Sequence, residues 1–191
     1  MSKSEQAAAM PDESFPVPEM DAETQSLAVR LRERIAALFR SSLQIRHLDV
    51  GSCNGCDWEI AALLNPIYDL QRFGIDFVAS PRHADMLLVT GAITRNLEPA
   101  LWHTYEATPD PKLVVAVGAC ACGGGIVASS YATAGGVDRR IPVDVYIPGC
   151  PPRPQAILHG ILLALDRRDQ KVRGEAIVVR ATGPRAVRQE F

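Results

Sequence analysis

The chain has 191 residues, 47% of them hydrophobic, and a formal net charge of −2. That length suits one domain with a single core, and the near-neutral balance argues against a nucleic-acid-binding surface. The five cysteines fall in three short segments, unlike the spread of a secreted disulfide framework, and fit a reducing compartment and a metal better.

Residues 1–20 are polar and acidic, with Pro11, Pro16 and Pro18, a composition that predicts a disordered lead. The lead lacks a signal peptide's basic region and apolar core, and it has no twin-arginine pair. No run of about 18 apolar residues offers a membrane span. From Asp21 the pattern changes. Leu27, Val29, Leu31, Ile35, Leu38 and Phe39 recur at near-helical spacing among Arg30, Arg32, Glu33 and Arg34, which predicts an amphipathic helix over 22–41. Two readings of it stand. Its apolar face packs on its own domain, or its arginines face a partner or an anionic membrane surface.

Gln44–Val50 reads as the first strand, residues 53–57 as a loop, and Trp58–Phe73 as a helix kinked or divided at Pro66. Gly74 marks the exit of that helix. Residues 75–79 read as a second strand. Ala84–Thr90 is almost continuously apolar, as in a strand buried on both faces of a parallel sheet. A helix follows over 97–107, with Pro99 in its first turn. Lys112–Val117 is a further strand, ending in a Gly118-Ala119-Cys120 loop. Residues 123–142, with Gly123, Gly124, Gly125, Gly135 and Gly136, are expected to be irregular. Val143–Ile147 is the last strand of the core, and a helix over 154–167 presents Ile157, Ile161 and Leu165 on one face. This alternation predicts a flavodoxin-like, doubly wound parallel α/β sheet over 44–168. Residues 169–191 form a basic tail with a β-like run at 176–179, expected to lie on a partner.

Each cysteine segment follows a strand. Cys53 and Cys56 form a C-x-x-C pair, Cys120 and Cys122 follow the 112–117 strand, and Cys150 follows the last. Parallel strands of an open sheet present their following loops along one carboxyl edge, so distant thiols can meet there. A lone C-x-x-C is weak, being shared by redox pairs and zinc hairpins. Three glycine-flanked cysteine segments, each after a strand, point to one metal centre. Four thiolates would close either an iron–sulfur or a zinc site.

The order SCNGCDWEIAALLNPIYDLQRFGI, ADMLLVTGAIT, VVAVGAC with GGG, and VDVYIPGCPPRP resembles one family. It is the cluster-bearing small subunit shared by membrane-bound nickel–iron (NiFe) hydrogenases and by the B subunit of NADH:quinone oxidoreductase. The resemblance spans about residues 44–168 and implies one 4Fe-4S cluster on Cys53, Cys56, Cys120 and Cys150. It implies electron relay between a ferredoxin-like subunit and a large hydrogenase-like subunit, equivalent to the complex I D subunit, that would hold any NiFe centre. Integral membrane subunits would complete a complex in which this chain is peripheral, on the cytoplasmic side of the inner membrane. The separation of Cys53 from Cys56 resembles the energy-converting, hydrogenase-4 or formate-hydrogenlyase type, because quinone-reducing relatives carry adjacent cysteines there. The alternative is a B-type subunit passing electrons to quinone, and a zinc-stabilised assembly subunit is the non-redox reading.

Cys122 is the thiol left over. It is either a free thiol beside the cluster or a substitute for Cys120, and the GAC match favours Cys120. Glu59 either caps its helix or, as its family position implies, lies near the subunit interface and carries protons. Asp57 reads as a cap. Trp58 stands where relatives are usually aliphatic, and is expected against the cluster or the large subunit. Gly51, Gly55, Gly118 and Gly149 are expected to bring backbone close to the cluster. His47, His83, His103 and His159 follow no ligand spacing and read as surface or interface residues. Gly123–Gly125 lacks the lysine of a phosphate loop.

Overall fold

A computed structural model describes residues 20–39 and 42–173. The predicted lead, the end of the first helix and the tail after 173, with its β-like run, lie outside the described residues.

The chain opens with α1 (Ala22–Leu38), followed by β1 (Leu43–Asp49), α2 (Gly55–Ala62) and β2 (Ile75–Phe77). Next come β3 (Met86–Thr90), the short β4 (Ile93–Thr94), α3 (Glu98–Ala107) and β5 (Leu113–Val117). After α4 (Gly118–Gly123) and β6 (Thr133–Gly135), β7 (Val145–Ile147) leads into α5 (Pro154–Arg173). Five strands form one sheet in the order β2-β1-β3-β5-β7, and every adjacent pair is parallel. This is the doubly wound order that the alternating pattern predicts.

Side-chain alternation along the central strands divides the core into two layers. Met86 and Leu88 of β3 join Leu113 and Val115 of β5 on one face, packed with Leu31 and Ile35 of α1 and with Ile157 and Ile161 of α5. Leu87, Val89, Val114 and Ala116 point the other way, onto Leu101 of α3 and Ala121 of α4. Every residue of β3 and β5 is buried. Apolar packing on both faces explains why their sequence runs are continuous rather than alternating. The α1 helix packs on its own domain through Ala28, Leu31 and Ile35, and Arg34 pairs with Asp166 of α5 at 2.5 Å.

Several boundaries differ from the sequence expectation. The predicted Trp58–Phe73 helix begins earlier, at Gly55, and ends at Ala62. Asn65 Oδ1 accepts the amides of Ile67 and Tyr68 at 2.9 and 3.1 Å, offering the backbone a turn instead of another helical step. Pro66 has no amide to give, and a separate 3-10 turn at Leu70–Phe73 completes the segment. The Gly118–Cys120 loop is the start of α4. Residues 123–142 are only partly irregular, because β6 pairs antiparallel with β4 and Val137 and Ile141 enter the second core layer. The last helix runs past Arg167 to Arg173. Among the described residues, no helix is long and apolar enough to cross a membrane.

Candidate metal centre

The parallel sheet sends β1, β5 and β7 toward one edge, and each cysteine segment begins where one of them ends. Cys53 precedes α2, Cys56 lies in its first turn, Cys120 and Cys122 lie in α4, and Cys150 follows β7. All five thiols are free. The segments interlock. The Ala119 amide donates to the Gly149 carbonyl at 2.7 Å, joining the second segment to the third. Gly118, at φ +88°, lies so close to the first that a Cβ there would stand 2.4 Å from Cys56 Sγ. Only glycine supplies both that conformation and that clearance. A Cβ on Gly125 would likewise fall 2.7 Å from Cys120 Sγ. The sequence pattern assigns Gly125 only to the irregular 123–142 segment. A Cβ on Gly55 would stand an ordinary 3.6 Å from Cys53 Sγ, whereas those on Gly51 and Gly149 would meet Thr94 and Pro152, so neither serves the thiols directly.

Two of the thiols, Cys56 and Cys120, feel burial and their neighbours' charge. Burial pushes the Cys56 thiol up to about 11, and Asp57, Cys120, Cys53 and Cys150 add to the rise in that order. Cys120 is raised by burial and then by Cys150 and Cys53. Thiols that oppose one another's ionisation are relieved by a shared cation, and soft sulfur suits iron–sulfur clusters or zinc. With Gly118 leaving room beside Cys56, the residues present fit a thiolate-held centre. Among the described residues, no three His, Cys, Asp or Glu side chains converge tightly enough to hold a single metal ion.

Cys122 faces elsewhere. Its Sγ lies 3.6 Å from the Ala116 carbonyl and 3.7 Å from that of Ile147, and it packs against the second core layer. Burial pushes this thiol up to about 11 as well, so it is protonated at neutral pH.

The acidic residues of α2 part company. Asp57 is not a helix cap, because no side chain caps α2. Its Oδ1 accepts the Thr90 hydroxyl at 2.7 Å and lies 2.9 Å from His47 Nε2, while Oδ2 accepts the Ser52 hydroxyl. Glu59 is half-buried, has no hydrogen bond or ion pair among the described residues, and caps nothing. His47, read from the sequence as a surface or interface residue, is half-buried and engaged, whereas His83, His103 and His159 are exposed. The thiol edge is rimmed by apolar groups. Trp58, two residues from Cys56, is 75% exposed, and Ile126, beside the Gly125 that packs on Cys120, is 99% exposed. Single exposed apolar residues are ordinary, but several around one polar edge mark a contact surface.

Fold and site together define a class, the doubly wound α/β domains that gather thiols from the carboxyl ends of their strands. The chain belongs to the NADH ubiquinone oxidoreductase 20 Kd subunit family, whose sequence model matches residues 53–164. It is 52% identical to a probable membrane-bound hydrogenase subunit of Pyrococcus furiosus, over 76% of this chain and 89% of that one. It is 45% identical to formate hydrogenlyase subunit 7 of Escherichia coli over 83% of this chain, and spans 61% of that protein's length. A solved chain from an archaeal membrane-bound sulfane sulfur reductase aligns with a TM-score of 0.60 and 39% identity, covering 76% of this chain and 78% of the other. Two of these relatives are named as parts of membrane-bound complexes, a hydrogenase and a sulfane sulfur reductase.

Proposed function

We propose that this chain is the electron-relay subunit of a membrane-associated oxidoreductase complex and holds one 4Fe-4S cluster on Cys53, Cys56, Cys120 and Cys150. The observation that carries the reading is the meeting of the three cysteine segments at one sheet edge, with the Ala119 amide bonded to the Gly149 carbonyl and Gly118 against Cys56 Sγ, while Cys122 hydrogen-bonds into the sheet. Such a cluster supplies one-electron transfer when bound. The chain's own part is to hold the ligands. Gly118 leaves clearance for Cys56, and the Ala119–Gly149 bond sets the Cys120 and Cys150 segments against each other. Trp58 and Ile126 offer an apolar rim to a larger hydrogenase-like subunit, which would exclude water from the thiols. A ferredoxin-like subunit supplies or receives the electrons, and integral membrane subunits anchor the assembly with this chain on its cytoplasmic side.

The large subunit of the favoured reading carries a NiFe centre and exchanges electrons with hydrogen. Support comes from the C-x-x-C spacing of Cys53 and Cys56 and from the hydrogenase names of two relatives. Glu59, half-buried beside the first thiols and without a structural partner among the described residues, is the proposed proton carrier at this interface. The family's description favours a second reading, a B-type subunit serving quinone reduction. One solved relative belongs to a sulfur reductase, so the catalytic subunit must be examined itself. The test is the complex purified anaerobically and assayed for nickel, hydrogen turnover and quinone reduction. Nickel with hydrogen turnover, slowed by Glu59→Gln without a change in the cluster spectrum, is expected. Quinone reduction without nickel would overturn the hydrogenase arm, and a chain free of any reducible cluster would overturn the relay itself.

A further inference from the structure

Behind the first thiol pair lies a polar network that ligand binding alone does not explain. Asp57, the residue after Cys56, accepts hydrogen bonds on both carboxylate oxygens. Ser52 reaches Oδ2, while Thr90 donates to Oδ1 at 2.7 Å. His47 Nε2 lies 2.9 Å from the same Oδ1 and 3.1 Å from Thr90 Oγ1. A hydroxyl has one proton. With that of Thr90 committed to Asp57, the facing ring nitrogen of His47 is the donor.

Each donor is itself fixed. Thr90 is fully buried at the end of β3, and His47 sits on β1, the neighbouring strand. The Ser52 amide donates to Asp49 Oδ1 at 2.6 Å, and Ser52 Oγ accepts the Asn54 amide at 3.1 Å. One carboxylate therefore joins α2, the cysteine loop and the two strands at the sheet's topological switch. Capping does not require this arrangement, because α2 has no side-chain cap.

We infer that Asp57 is a positioning residue of the metal centre, locking the Cys53–Cys56 loop to β1 and β3 and holding a fixed negative charge against Cys56 that opposes electron uptake there. The inference rests on the relay reading. Its charge arm follows from Coulomb's law in a partly desolvated site, since an added electron meets a carboxylate one residue from a ligand.

The test uses the assembled complex with Asp57→Asn, Asp57→Glu and Thr90→Val. Midpoint potential is read by electron paramagnetic resonance titration, and iron release by challenge with a chelator. Asp57→Asn should keep its iron at the start, shift the potential positive and release iron faster. Thr90→Val, which retains the charge, should release iron faster without the positive shift. Asp57→Glu should restore a potential near that of the wild type. An Asp57→Asn complex with unchanged potential and unchanged release would overturn the inference, as would equal loss of iron from the Asn and Glu variants. A wild-type complex without iron or labile sulfide would instead overturn the relay reading, so the two failures are distinguishable.

Discussion

Cys53 and Cys56 ride on a loop and helix fastened to the sheet through side chains, whereas Cys120 and Cys150 hang from segments joined by backbone. In the first region Ser52, Asp57, Thr90 and His47 form the fastening. In the second, the bond from the Ala119 amide to the Gly149 carbonyl and the bare Cα of Gly118 do so. The difference has a consequence for variation. A side-chain network can be altered one group at a time and so adjusts the environment of the thiols. A backbone contact that depends on a missing Cβ tolerates little change.

The largest effect is expected from the thiols themselves. Cys120→Ser and Cys150→Ser should each remove or degrade the cluster, read as loss of its signal in electron paramagnetic resonance. If Cys120→Ser kept a full signal while Cys122→Ser lost it, the ligand set would have to be redrawn. Gly118→Ala comes next and probes the backbone-held side of the comparison. It places a Cβ 2.4 Å from Cys56 Sγ at φ +88°, and the backbone conformation alone costs about 1–2 kcal/mol for a residue with a Cβ. A lowered melting temperature together with reduced iron content is the expected result, and unchanged iron would show that the segments can move apart. The smallest effect belongs to Cys122→Ser, which should keep the cluster, because that thiol faces the Ala116 and Ile147 carbonyls. Its thiol, pushed up to about 11 like that of Cys56, should also alkylate more slowly than the exposed Cys53 and Cys150 in unfilled protein at neutral pH, where thiolate is the reactive form.

Much of the fold was legible because its signals are local. The apolar runs of β3 and β5 announce burial on both faces, and the cysteines that follow β1, β5 and β7 announce the carboxyl edge. The end of α2 was hidden, since Asn65 stops the helix by taking two amides on its own side chain, a competition that helical periodicity does not register. The pairing of β4 with β6 was hidden for another reason. Two-residue and three-residue strands leave too short a pattern to read. The four proposed ligands rest on spacing and family resemblance, and Gly118 is marked by its place before Cys120. His47, Asp57 and Thr90 were not linked, because nothing local connects three residues brought together only by strand pairing and a loop. By sequence His47 reads as a surface or interface residue and Asp57 as a cap, and the sheet places them side by side.

The most direct test of the central claim is elemental. Iron, acid-labile sulfide and zinc should be measured together on the anaerobically purified complex and normalised to this chain. Together with a Cys120→Ser complex, the measurement isolates the share held at this edge. The account predicts a loss of about four irons and about four sulfides per chain on that substitution, with no zinc in their place, as thiolate ligation of a single cubane requires. Stoichiometric zinc at the wild-type site, with no labile sulfide lost in the variant, would contradict it.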